Sequence, residues 1–158
     1  MTIVVATRMH IRRFWHVPGF LLGSMRVAWQ AHRTPGFLGG RMRAEPGGGY
    51  WTLTTWESGR AMAAFRDAGL HARLAPMAAR WADEAVFGIW QCADARAPKW
   101  RDAAARIAEH PNFAPLDRPA VAHREGRVRQ PRRFGFDLFI PRARANALEE
   151  AASLDPAA

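Results

Sequence analysis

An α+β fold with an antiparallel sheet is predicted for this chain by three observations. A β-branched run opens it, strand and helix signals then follow in the order β-α-β-β-α-β over the first 93 residues, and a Gly-rich turn joins the two middle strands. "TIVVATRMHI" (2–11), bounded by "RRFWHVPG", is the first strand, with Ile3, Val5, Thr7 and Met9 on one face and Val4, Ala6, Arg8 and His10 on the other. Between Pro18 and Arg33, Leu21, Met25, Ala28, Trp29 and His32 recur at helical spacing, so they predict a helix whose apolar stripe, Trp29 included, faces the sheet. "TPGF" (34–37) stops that helix, "FLGGRMRA" (37–44) is the second strand, and "EPGGG" turns the chain into the third strand, "YWTLTTW". Ser58 is placed to cap a second helix, with Met62, Phe65 and Gly69 on one side. Pro76 removes a helical hydrogen bond and predicts a kink or break near residues 69–76, with Leu70, Leu74, Met77 and Trp81 continuing the helical series. "AVFGIWQC" (85–92) is the fourth strand, completing the split unit of ferredoxin-like folds.

Residues 94–158 read as a helical and irregular extension that packs on the core or swaps between subunits. It holds a helix over 98–109, a short strand over 134–140 and a terminal helix in "RANALEEAAS". With 158 residues, the chain has the size of one ordinary domain with an extension, and its apolar content, 49%, is enough for a sizeable core. The lone Cys92 forms no internal disulfide, no Cys/His spacing resembles a zinc site, and the N-terminus lacks the order of a secretion signal. The lone cysteine suits a reducing cytoplasm, the location expected, and no apolar run reaches the length of a membrane helix.

The formal net charge is +9, and Lys99 is the one lysine among 23 basic residues. Such Arg-over-Lys usage also arises from GC-rich codon choice, so the charge by itself is weak support for a nucleic-acid partner. Its distribution is more informative. Residues 1–44 hold seven Arg and no acid, and residues 118–144 hold eight Arg against Glu125 and Asp137, which together can make one positive field. "RVRQPRRFGF" keeps nucleic-acid binding as the weaker class, with no helix-turn-helix or zinc-finger motif beside it. Asp117, Arg118, His123 and Arg124 form a polar cluster that is either solvated or a lid.

The element order, "TIVVATRMHI", and "WTLTTWESGRAMAAF" running from strand into helix resemble the antibiotic-biosynthesis-monooxygenase-like dimeric α/β-barrel proteins. "FRDAGLHARLAPMAARWADEAVFGIW" is similar to the spheroidene monooxygenase-like branch. The resemblance covers residues 1–93. It implies a homodimer in which two four-stranded sheets face each other, with a pocket in each subunit between sheet and helices. It also implies a small oxygenase, or a related oxidoreductase or isomerase, acting on an apolar or aromatic secondary metabolite, with haem or with no cofactor. In the haem-degrading branch a strand Asn and a helix Trp lie beside the cofactor and a helix His binds iron. Thr7 and Phe65 stand at the first two positions here, and His71 lies about one turn before the third, so that residue set is not reproduced.

His71 is accordingly the candidate acid-base residue, and the iron ligand should haem bind. Thr7, Trp29, Trp51, Phe65 and Arg8 are the candidate binding residues. Arg8 shares the partner-facing strand side with His10, where it would join an interface or bind a carboxylate or phosphate. Trp51 and Trp56, five residues apart, fall on opposite faces of a straight strand, so Trp51 faces either the pocket or the barrel. The rival reading is a non-catalytic ligand-binding or structural dimer.

Overall fold

In the computed structural model, which describes residues 1–93 and 98–142, the chain builds a six-stranded antiparallel sheet in the order β5-β4-β1-β3-β2-β6. Strand β1 is Thr2–Ile11, β2 Phe37–Glu45, β3 Gly49–Trp56, β4 Ala82–Cys92, β5 Asn112–Phe113 and β6 Phe136–Ile140. Helix α1 (Val17–Arg33) connects β1 to β2, while α2 (Gly59–Arg66) and α3 (Gly69–Trp81) connect β3 to β4. Helices α4 (Trp100–Glu109) and α5 (Val121–Arg124) follow. The predicted β-α-β-β-α-β core is present, with its second helix divided. The helix expected over 144–153 lies outside the described residues.

Local chemistry explains the boundaries. Gly47 and Gly48, at φ +85° and +87°, make the β2–β3 turn in a region that other residues avoid. Ser58 Oγ accepts from the Ala61 N–H at 3.2 Å and caps α2. The break comes at Asp67 and Ala68, at the N-terminal edge of the expected region, and Pro76 itself lies inside α3 without ending it. Gln30 on α1 accounts for that position. Its side-chain oxygen accepts from the N–H groups of Leu70 and His71 (2.7 and 3.0 Å), and its amide nitrogen donates to the carbonyls of Phe65 and Ala68 (3.1 and 3.0 Å). One side chain thus satisfies the open end of α2 and the open start of α3.

The sheet separates two apolar layers. On one side α1, α2 and α3 cover the odd-numbered face of β1. On the other, Val4, Ala6, Trp51, Leu53 and Val86 pack against Trp100, Ala103, Ala104 and Ile107 of α4. The resemblance assigns this second face to a partner's sheet; in this chain its own extension covers it. Gly88 allows the close approach, since a Cβ there would stand 3.3 Å from the Ile107 Cα. Gly88→Val is therefore expected to push α4 off β4 and cost about 1–3 kcal/mol, read as a lowered midpoint in urea unfolding. The extension also supplies both sheet edges, with β5 pairing to β4 and β6 to β2.

Candidate functional site

A cavity of about 340 Å³ lies between the odd-numbered face of β1 and the helices. Val5, Thr7 and Met9 contribute from β1, and the cross-strand neighbours Thr52 and Thr54 from β3. Phe20, Ser24 and Val27 line it from α1, Phe65 from α2, and His71, Leu74 and Trp81 from α3. The wall is mainly apolar with a few hydroxyls, a composition suited to orienting a small hydrophobic compound. The Thr54 hydroxyl accepts from Trp56 Nε1 at 3.0 Å, whereas those of Thr7 and Thr52 make no hydrogen bond to the described residues.

His71 is the titratable residue of this wall. Its Nδ1–H donates to the Arg66 carbonyl at 2.9 Å, and its ring packs 4.8 Å from that of Phe65. The carbonyl bond selects the neutral tautomer whose Nε2 carries the lone pair. Burial pushes the imidazole below its ordinary value, and the bond to the Arg66 carbonyl opposes that only in part. A neutral imidazole with a free lone pair in an apolar cavity can take a proton. Gln30 fixes its backbone, so Gln30→Ala is expected to loosen the α2–α3 break at a cost of about 1–3 kcal/mol and to raise amide exchange at Leu70 and His71.

Thr7, Phe65 and His71 thus meet in one cavity, whereas three other candidates do not. Trp29 is 60% exposed on the outer side of α1, beside His32 at 5.6 Å, because the packing face is instead Phe20, Gly23, Ser24, Val27, Ala28 and Ala31. Apart from Phe20 these residues are small, and they repeat at intervals of three, one, three, one and three, a pattern the bulkier Leu21, Met25 and Trp29 obscured. Trp51 is fully buried under α4, 6.3 Å from Trp100. Arg8 is 3% exposed on the same far face, bonded to Glu84 and 4.0 Å from Glu45. It neutralises buried carboxylates of its own chain and does not reach the cavity. His10 is likewise engaged internally, by Asp83 at 2.6 Å and the Gly47 carbonyl at 2.8 Å.

The polar cluster of the extension divides. His123 is buried, donating to the Ala114 carbonyl at 3.1 Å and accepting from the Ala85 N–H at 3.4 Å, while Arg124 donates to the Pro119 carbonyl. Asp117 and Arg118 line a second recess beside the first. Ser24, Thr52 and Gln30 escaped the sequence reading, since isolated polar residues give no periodic signal.

A haem fits this cavity poorly. His71 Nε2 is an available donor, but about 340 Å³ is near the lower end of ligand sites, roughly 300–1,000 Å³, too little for a whole macrocycle, and among the described residues the Arg side chains nearest to it line the adjoining recess beyond Met77 and Trp81. Among the described residues no group of three His, Cys, Asp or Glu is placed to hold a metal ion, and no helix is long and apolar enough to cross a membrane.

No protein-family model matches this chain, and no curated protein matches it significantly. Solved structures do. SnoaB, a cofactor-independent oxygenase from Streptomyces nogalater, is 15% identical at a TM-score of 0.52 over 59% of this chain and 94% of its own. Rv0793 from Mycobacterium tuberculosis is 10% identical at 0.54 over 60% and 97%, and a structure described as an antibiotic biosynthesis monooxygenase is 13% identical at 0.52 over 60% and 100%. At such identities the likeness concerns the backbone, and on it this chain has the ferredoxin-like α+β fold of the antibiotic-biosynthesis-monooxygenase structures.

Proposed function

We propose that the protein is a small cofactor-independent oxygenase for an apolar or aromatic secondary metabolite bearing an acidic O–H or C–H. The observation that carries this reading is His71, an imidazole kept neutral by burial and held by the Arg66 carbonyl so that Nε2 is the free base of an apolar cavity. The described function of SnoaB, which shares the fold, supports the same choice.

In this mechanism Nε2 takes the proton of a phenol or enol, leaving an electron-rich carbanion equivalent. That anion transfers electrons to dioxygen and forms a C–O bond, giving a peroxide anion that the His71 imidazolium protonates. Loss of water from the hydroperoxide leaves a carbonyl, so that a CH2 group and O2 become C=O and H2O. The apolar wall keeps the anion out of water, which preserves its reactivity, and the Thr7 and Thr52 hydroxyls are the donors available to orient the substrate oxygens.

The test is oxygen uptake by chelator-treated protein with a panel of hydroxyarenes and enolisable aryl ketones. Uptake above background, unaffected by chelator, is the expected result. No uptake with any compound that binds the cavity would leave a carrier of small hydrophobic molecules instead of an enzyme.

A further inference from the structure

Beside the apolar cavity lies a recess of about 420 Å³ lined by Arg12, His16, Arg80, Arg118 and Asp117, and the two share the side chains of Met77 and Trp81. It brings together the two Arg-rich regions of the sequence, since Arg12 follows β1 and Arg118 belongs to the extension. Among the described residues the Arg12, Arg80 and Arg118 guanidinium groups make no ion pair, and the buried Arg12 Nε lacks a hydrogen-bond partner. The single acid, Asp117, leaves the three cations in excess. His16 stacks on Trp81, ring centroids 5.2 Å apart and planes within 11°, which holds Trp81 at the boundary between the polar and apolar compartments.

Unpaired guanidinium groups that converge on a concave surface are donors awaiting an anion. We infer that the ligand of this protein is an amphipathic anion, with its apolar body in the cavity beneath Thr7 and Phe65 and its carboxylate or phosphate head in the Arg12–Arg80–Arg118 recess. The inference rests on the proposed reading of the apolar cavity as the substrate site and adds the charge and polarity of what enters it. Trp81 and Met77 cover the neck of the molecule between the two ends.

A matched pair of fluorescent probes separates the two claims. 1-Anilinonaphthalene-8-sulfonate and N-phenyl-1-naphthylamine share an apolar body and differ in the anionic group. Wild-type protein is expected to bind both and the sulfonate at least about tenfold more tightly, as charge-assisted hydrogen bonds of this kind provide. Arg12→Gln with Arg118→Gln is expected to remove that advantage and leave the neutral probe unaffected, while Arg101→Gln on α4 leaves both unaffected. If the neutral probe fails to bind, the cavity reading itself falls. If it binds and the sulfonate gains nothing, or loses nothing in the double variant, the recess is no anion site. Displacement of the sulfonate by 1-naphthoate identifies a carboxylate ligand, and displacement by 1-naphthyl phosphate a phosphate. Displacement by neither, or equally by 1-naphthalenemethanol, overturns the inference.

Discussion

Replacing His71 with Asn is expected to lower turnover by about 10²–10⁴-fold while leaving the chain folded. An Asn side chain can put an N–H where Nδ1–H now donates to the Arg66 carbonyl, so the local bond survives while the base at Nε2 disappears. The pH profile separates loss of the base from a loss of structure. The base works as the neutral imidazole, and burial places its pKa below the ordinary 6.5, so kcat/KM in wild type should stay flat through neutrality and fall, with one proton, only on the acid side of 6.5. The residual rate in the variant should lack that limb. A stability effect has the same sign: the folded chain takes up this proton at lower pH than the unfolded chain, so a contribution present above about pH 6.5 is lost as pH falls. Wild-type turnover in His71→Asn, or an acid limb that survives it, would remove His71 from the mechanism.

Arg8→Met is expected to be the most destabilising single change on the far face of the sheet, by about 3–5 kcal/mol. Arg8 bonds Glu84 and faces Glu45, and the two carboxylate side chains are each 1% exposed. Arg129 reaches Glu84 from the rim at 3.2 Å, and the Arg132 backbone N–H donates to Glu45 at 2.6 Å, but neither replaces the central cation. Removing it leaves two buried carboxylates close together, so the melting temperature should fall by roughly 10 °C. Adding Glu45→Gln and Glu84→Gln to Arg8→Met should recover most of the loss, because the penalty belongs to uncompensated charge more than to lost packing. An Arg8→Met protein as stable as wild type would show that water reaches the cluster.

The core of the fold was legible because it rests on short-range signals. The alternation in β1, the Gly turn before β3 and the Ser58 cap are each decided within a few residues. The face of β1 that carries Thr7, and the opposed faces of Trp51 and Trp56, followed from the same period of two. What failed depended on contacts distant in sequence. The bulky side of α1 looked like its buried side, although only the sheet and α3 determine which stripe packs. The place of the α2–α3 break is set by Gln30, about 40 residues away, which no local rule around Pro76 reveals. Arg8 looked like an interface or ligand residue because the partners that enclose it, Glu45 and Glu84, come from two other strands. The extension had no assignable place until α4 was seen against β1 and β4.

Because α4 closes one face of the sheet and the cavity occupies the other, neighbouring residues of β1 answer to different selective pressures. Val4, Ala6 and Arg8 are bound to an internal packing that a change of ligand does not relax. Val5, Thr7 and Met9 meet whatever enters the cavity and can diverge with it. Along this strand, tolerance to substitution should alternate residue by residue, so that descendants of this chain could acquire new ligand preferences through the odd positions while inheriting the even ones unchanged.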